Sequence, residues 1–114
     1  MFKELAALTH FIKNAGDIPR QMGEMRERLA RTTVDGRSAC GQVIVTVTGK
    51  MEVQAVRFAS DPHQIGSQQA VEALVLEAVN DGLRQAKDLA TREMKSVANT
   101  LGVPAGLLAK FGLS

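Results

Sequence analysis

The sequence predicts an α+β fold in the order α-β-β-β-α, with a three-stranded antiparallel sheet and long flanking helices. Three observations predict it. The stretch Gly41 to Phe58, GQVIVTVTGKMEVQAVRF, alternates β-branched residues and contains no Pro. Residues 1–31 repeat apolar side chains at helical spacing, and residues 67–101 do so without a break.

The elements follow in order. Phe2, Leu5, Leu8 and Ile12 form one apolar stripe, with Phe11 beside it. Gly16-Asp17-Ile18-Pro19 then interrupts the pattern, because Pro lacks the helical N–H and disfavours helix just before it. Asp17 can cap a restarted helix with Pro19 in its first turn. Ile18, Met22, Met25 and Leu29 continue a stripe to Arg31. The pattern fits one kinked helix or two, so 1–31 is a helical arm kinked near 16–19.

Residues 32–58 form the β-meander. Thr32-Thr33-Val34 starts a short strand, and Asp35-Gly36-Arg37-Ser38 has turn chemistry. Val43, Val45 and Val47 point one way, and Ile44, Thr46 and Thr48 the other. A tight turn at Gly49-Lys50 leads to a return strand with Val53, Val56 and Phe58. Ala59 to Gly66 is expected to be a loop. Ser67 is the expected N-cap of the long helix, whose stripe runs from Val71 and Leu74 to Val97, Ala98 and Leu101. Gly102-Val103-Pro104-Ala105-Gly106 stops it, leaving 102–114 as a short apolar tail.

A chain of 114 residues fits one domain, residues 1–114, and its 45% apolar content suffices for a core. With no Trp or Tyr and four Phe, little surface is offered for stacking on unpaired bases. The net charge of +2 does not by itself signal nucleic acid. A single cysteine, Cys40, excludes an internal disulfide and suits a reduced compartment. No run is apolar enough for a membrane span, and Lys3, Glu4, His10 and Lys13 spoil a signal peptide. A cytoplasmic protein without a membrane partner is expected.

Length argues for self-association. The last helix would extend about 50 Å, against strands of about 23 Å. Its apolar stripe continues past the sheet, and a second copy in a two-fold dimer is the expected cover.

In order and spacing, the motifs resemble the YbaB/EbfC family of bacterial nucleoid-associated proteins, from about Phe11 to Leu107. The matching pieces are Gln21-Met22-Gly23-Glu24-Met25, Val34-x-Gly36, Gly41-x-Val43-x-Val45, Gly49, and Val53-x-x-Val56-x-Phe58. Ala78-Val79-Asn80-Asp81 and Leu101-Gly102-Val103-Pro104-Ala105-Gly106-Leu107 complete the set. The resemblance implies a tweezer-like homodimer that binds double-stranded DNA with weak sequence preference, in the nucleoid. Three features depart from the family pattern: Pro19 in the first helix, the apolar Met1–Ala15 region, and the missing Leu-Leu after Pro62.

Binding a duplex without reading bases requires cations spaced to meet phosphates. The first half of the long helix carries Glu72, Glu77 and Asp81 and no base. The second half carries Arg84, Lys87, Arg92 and Lys95 against Asp88 and Glu93. The first segment adds Arg20, Arg26, Arg28 and Arg31. These eight cations are the candidate DNA-binding residues. The bland alternative is a solvated face with charges ordered to suit the helix dipole. Pairs such as Glu24–Arg28 and Asp88–Arg92 would then neutralise each other.

No enzyme, cofactor or small-molecule substrate is expected. His10 and His63 are isolated, and nothing offers metal-ligand spacing. Cys40 lacks an activating base and reads as small, buried and inert. Asn80-Asp81 reads as packing plus a local hydrogen bond rather than an acid site. The competing function is a structural or interaction protein whose amphipathic arms grip a protein partner.

Overall fold

The computed structural model describes residues 5, 6, 9, 13 and 15–102. The order is a 3-10 turn (Ala15–Asp17), α1 (Ile18–Arg31), β1 (Thr33–Arg37), β2 (Val43–Thr48), β3 (Val53–Phe58), α2 (Pro62–Ile65) and α3 (Gln68–Thr100). This is the expected α-β-β-β-α succession. The chain divides into two units, one of residues 1–27 with 91–114 and one of residues 28–90. The proposed apolar stripe of the first 15 residues lies, except for Leu5, outside the described residues, as does the tail beyond Gly102.

In the first unit, the 3-10 turn absorbs the Gly16-Asp17 break and α1 starts at Ile18 with Pro19 second. Pro is harmless there because the first helical N–H groups have no intrahelical partner. Ile18 and Met22 are half-buried and Met25 is buried, as are Val97, Ala98 and Leu101. Gly102, with φ 78°, ends α3, and its N–H donates to the Asn99 carbonyl at 3.1 Å.

In the second unit the sheet order is β1-β2-β3, all antiparallel. Val43, Val45 and Val47 of β2 are fully buried and form the core with Ala78 and Ala86 of α3. Val34, Leu74, Val75, Val79 and Leu83 pack around them. The hairpin turn is longer than expected. It spans residues 49–52, and the residue with positive φ is Met51 (68°). Gly49 is fixed by contact instead: its N–H donates to the carbonyls of Leu29 (3.0 Å) and Thr32 (2.9 Å), tying the end of α1 to the hairpin.

Two further expectations are corrected. Asp35-Gly36-Arg37 is strand rather than turn, and the bend follows at residues 38–42. Gly36 is in the strand because α3 crosses it there. A Cβ at Gly36 would lie less than 3.0 Å from the backbone of Ala78 and Gly82. The 59–66 segment contains α2, capped by the Asp61 carboxylate, which accepts from the His63 N–H at 2.9 Å. Ser67 caps α3 as expected, its hydroxyl accepting from the Ala70 N–H at 3.2 Å.

Candidate nucleic-acid interface

The long helix presents one row of polar side chains to the outer edge of β1. Glu77, Asp81 and Gln85 are spaced i, i+4, i+8, so they stack along one side of α3. The Ala39 N–H donates to the Glu77 carboxylate. The Arg37 N–H donates to the Asp81 carboxylate at 2.9 Å. Gln85 Nε2 donates to the Asp35 carbonyl at 2.8 Å and to Asp81 at 3.0 Å. The Arg37 N–H and the Asp35 carbonyl of the edge strand, and the Ala39 N–H just beyond it, are thereby satisfied by side chains, which covers this end of the edge.

This row changes the charge argument. Two of the three acids in the first half of α3 serve the β1 edge and do not form a repulsive outer face. The Asp81 carboxyl is held below the usual carboxylate range, chiefly by the Arg37 N–H. Partial burial opposes the shift, and Gln85 and Arg84 add to it. A depressed folded-state value means that this stabilisation is present above the normal Asp range and is lost as pH falls through the depressed value. Asp81→Asn is therefore expected to lower the thermal midpoint at neutral pH by roughly 3–5 °C. The gap to the parent should close as the buffer is taken below pH ~4, read by thermal melts across pH.

The candidate cations divide between the units. Arg20, Arg26, Arg92 and Lys95 belong to the first, and Arg28, Arg31, Arg84 and Lys87 to the second. Arg20 is held by Asp17 (3.6 Å) and Glu24 (3.1 Å), so Glu24 turns to Arg20. Arg84 is held by Asp81 at 3.3 Å. Lys95 is half-buried. Arg26, Arg31, Lys87 and Arg92 are exposed, and none of them forms an ion pair among the described residues. Asp88–Arg92, expected as a neutralising pair, is not formed among the described residues.

The outer face of the sheet adds cations that the sequence reading did not include. Arg37 and Arg57 flank Ile44 across the three strands. Arg57 lies 3.5 Å from Asp35, which also accepts from the Thr46 hydroxyl at 2.9 Å. Strand alternation could have flagged Arg37, had Asp35-Gly36-Arg37 been read as strand.

Other candidates resolve simply. Cys40 is exposed, not buried, because the 38–42 bend carries it away from the core. The Ser38 hydroxyl, 3.5 Å from its sulfur, is the main cause of a lowered thiol value. His63 is exposed on α2, and His10 lies outside the described residues. Among the described residues no group of three or more His, Cys, Asp or Glu is placed to hold a metal.

The sequence profile of the YbaB/EbfC DNA-binding family matches residues 5–101. The chain belongs to this family. Its relatives include a nucleoid-associated protein of Syntrophobacter fumaroxidans, 38% identical over 87 residues, covering 74% of this chain and 76% of that one. A second, from Bradyrhizobium diazoefficiens, is 29% identical over 106 residues, covering 93% of this chain and all of that one. A third, from Desulfotalea psychrophila, is 30% identical over 97 residues, covering 85% and 92%. The fold resembles the crystal structure of an uncharacterised protein from Helicobacter pylori. That likeness has a TM-score of 0.57 at 18% identity and covers 68% of this chain and 90% of that one. The YbaB/EbfC family is described by DNA binding rather than by catalysis. No helix among the described residues is long and apolar enough to cross a membrane.

Proposed function

We propose that the protein is a homodimer that binds duplex DNA mainly through phosphate contacts, in the nucleoid of a bacterial cytoplasm, and contributes to nucleoid organisation and gene regulation. The observation that carries this reading is the coincidence of a DNA-binding family with a rearranged charge pattern. The acids Glu77 and Asp81 are occupied at the β1 edge, while Arg26, Arg31, Lys87 and Arg92 are exposed and outside ion pairs among the described residues. Arg20, Arg28, Arg84 and Lys95 complete the proposed phosphate-contacting set. Arg20 and Arg84 are weaker members because a carboxylate already holds each guanidinium.

The test is fluorescence anisotropy of a labelled random duplex at several salt concentrations. Four or more phosphate contacts give log K falling linearly in log salt with a slope of about −4 or steeper. No binding at low salt by a dimeric sample would refute the DNA reading. The second reading, an interaction protein that grips a protein partner, is favoured by one observation: Val53, Val56 and Phe58 are exposed on β3. Retention of a protein partner without DNA affinity would support it.

A further inference from the structure

The hairpin between β2 and β3 ends in a tip under backbone strain. Residues 49–52 read Gly-Lys-Met-Glu, and Met51 has a φ of 68°. Among the described residues it is the only one other than glycine with a positive φ. That left-handed conformation presses Cβ against the next carbonyl oxygen, a contact that glycine avoids. Burial does not offset the strain, because Met51 is 41% exposed.

The surroundings hold the tip in this shape. The Met51 N–H donates to the Thr48 carbonyl at 2.9 Å, and the Thr48 N–H donates to the Glu52 carbonyl at 2.8 Å. The hydroxyl of buried Thr48 accepts from the N–H groups of Lys50 (3.2 Å) and Glu52 (3.3 Å). Gly49 is tied to the end of α1 through Leu29 and Thr32, and a Cβ there would lie 2.8 Å from the Leu29 carbonyl oxygen. The turn is thus braced from inside and from α1, with one apolar side chain left in solvent.

Strain kept at a braced, exposed position is a sign that the side chain is used. The neighbours indicate what it meets. Lys50 precedes it and is exposed. Arg31, also exposed, ends α1 between the two residues that bond Gly49. Lys50, Met51 and Arg31 belong to the same unit of the fold. Glu52 is the one acid of the turn. A slender apolar chain between cations matches the minor groove, where phosphates flank stacked base pairs.

We propose that Met51 is a wedge. Its thioether chain enters between two base pairs from the minor groove, and Lys50 and Arg31 meet the flanking phosphates. This rests on the DNA reading above and adds a mode of contact to it. The duplex is unstacked at one step and bent toward the major groove, and sites are chosen by how easily a step opens rather than by base identity. Because the tip is already braced, little ordering is lost on insertion.

The test uses the full chain and two labelled duplexes, one fully matched and one with a single central mismatch, which makes unstacking easier. Anisotropy reads affinity, and energy transfer between the duplex ends reads the bend. The wild type is expected to bind the mismatched duplex about tenfold more tightly and to bring its ends together. Met51→Gly should lose the preference and the bend. It should keep the salt slope, because no cation is removed, and should melt no lower than the wild type, because the strain is relieved. Met51→Leu, with another side chain that serves as a wedge, should keep the preference.

A folded Met51→Gly protein that retains the preference overturns the inference, since the side chain is then not at the bases. One that melts lower also overturns it, since the side chain then serves the fold. A wild type that binds both duplexes equally and leaves them straight refutes only this inference. One that binds neither at low salt refutes the DNA reading, and the wedge with it.

Discussion

Gly36→Ala is expected to destabilise the protein by roughly 3–5 kcal/mol and to lower its thermal midpoint by about 15 °C, read by calorimetry or a denaturant titration. The added methyl has no room. Its Cβ would approach the backbone of Ala78 and Gly82 more closely than 3.0 Å, and backbone atoms cannot swing aside as a side chain can. Relief requires lifting α3 away from β1. That would open the packing of Ala78 and Ala86 on Val43, Val45 and Val47 and lengthen the Asp81 and Gln85 hydrogen bonds to β1. A domain of ordinary stability has only about 5–15 kcal/mol in total. Gly82→Ala meets a softer obstacle, the Val47 Cγ2 at 2.7 Å, and should be less damaging.

Reversing Arg26, Arg31 and Arg92 together to Glu is expected to reduce duplex affinity by about 100-fold or more at low salt, with the fold and the dimer unchanged. Each is exposed and outside any ion pair among the described residues, so its removal orphans no carboxylate. In a dimer the change removes six cations and adds six anions. The slope of log K against log salt should flatten as contacts are lost, and anisotropy checks both effects. Arg20→Glu alone should matter less, because Asp17 and Glu24 already engage that guanidinium. An unaltered affinity in the folded triple variant would move the contact surface, with Arg37 and Arg57 on the sheet the next positions to test.

Much of the architecture is legible in the residues. The alternation of Val43, Val45 and Val47, the stripe on α3 and the Ser67 cap are local or periodic, and such signals survive folding intact. Asp35-Gly36-Arg37 misleads because turn chemistry and close helix approach select the same residue, Gly. Nothing local distinguishes a glycine used for its backbone freedom from one used for its missing side chain. Cys40 misleads because small apolar character favours burial on average, while its place in the bend decides exposure. On the candidate interface the sequence supplies the cations but not their partners. Whether Glu24 turns to Arg20 or Arg28 depends on rotamers, and Asp81 reaches a backbone N–H 44 residues away. The exposure of Val53, Val56 and Phe58 on β3 is equally hidden, because a Val, Val and Phe pattern reads as core.

The side-chain row that closes the β1 edge also fixes when this protein can finish folding. The three strands leave the ribosome before any of Glu77, Asp81 and Gln85 has been made. Until that part of the chain is complete, the nascent sheet has two open edges rather than one. The bonds that close the first edge join residues 38, 44 and 50 positions apart. Such distant closures are slow to form compared with a hairpin or a helical turn. The meander is therefore an aggregation hazard during synthesis, and the late arrival of α3 ends its exposure on one side.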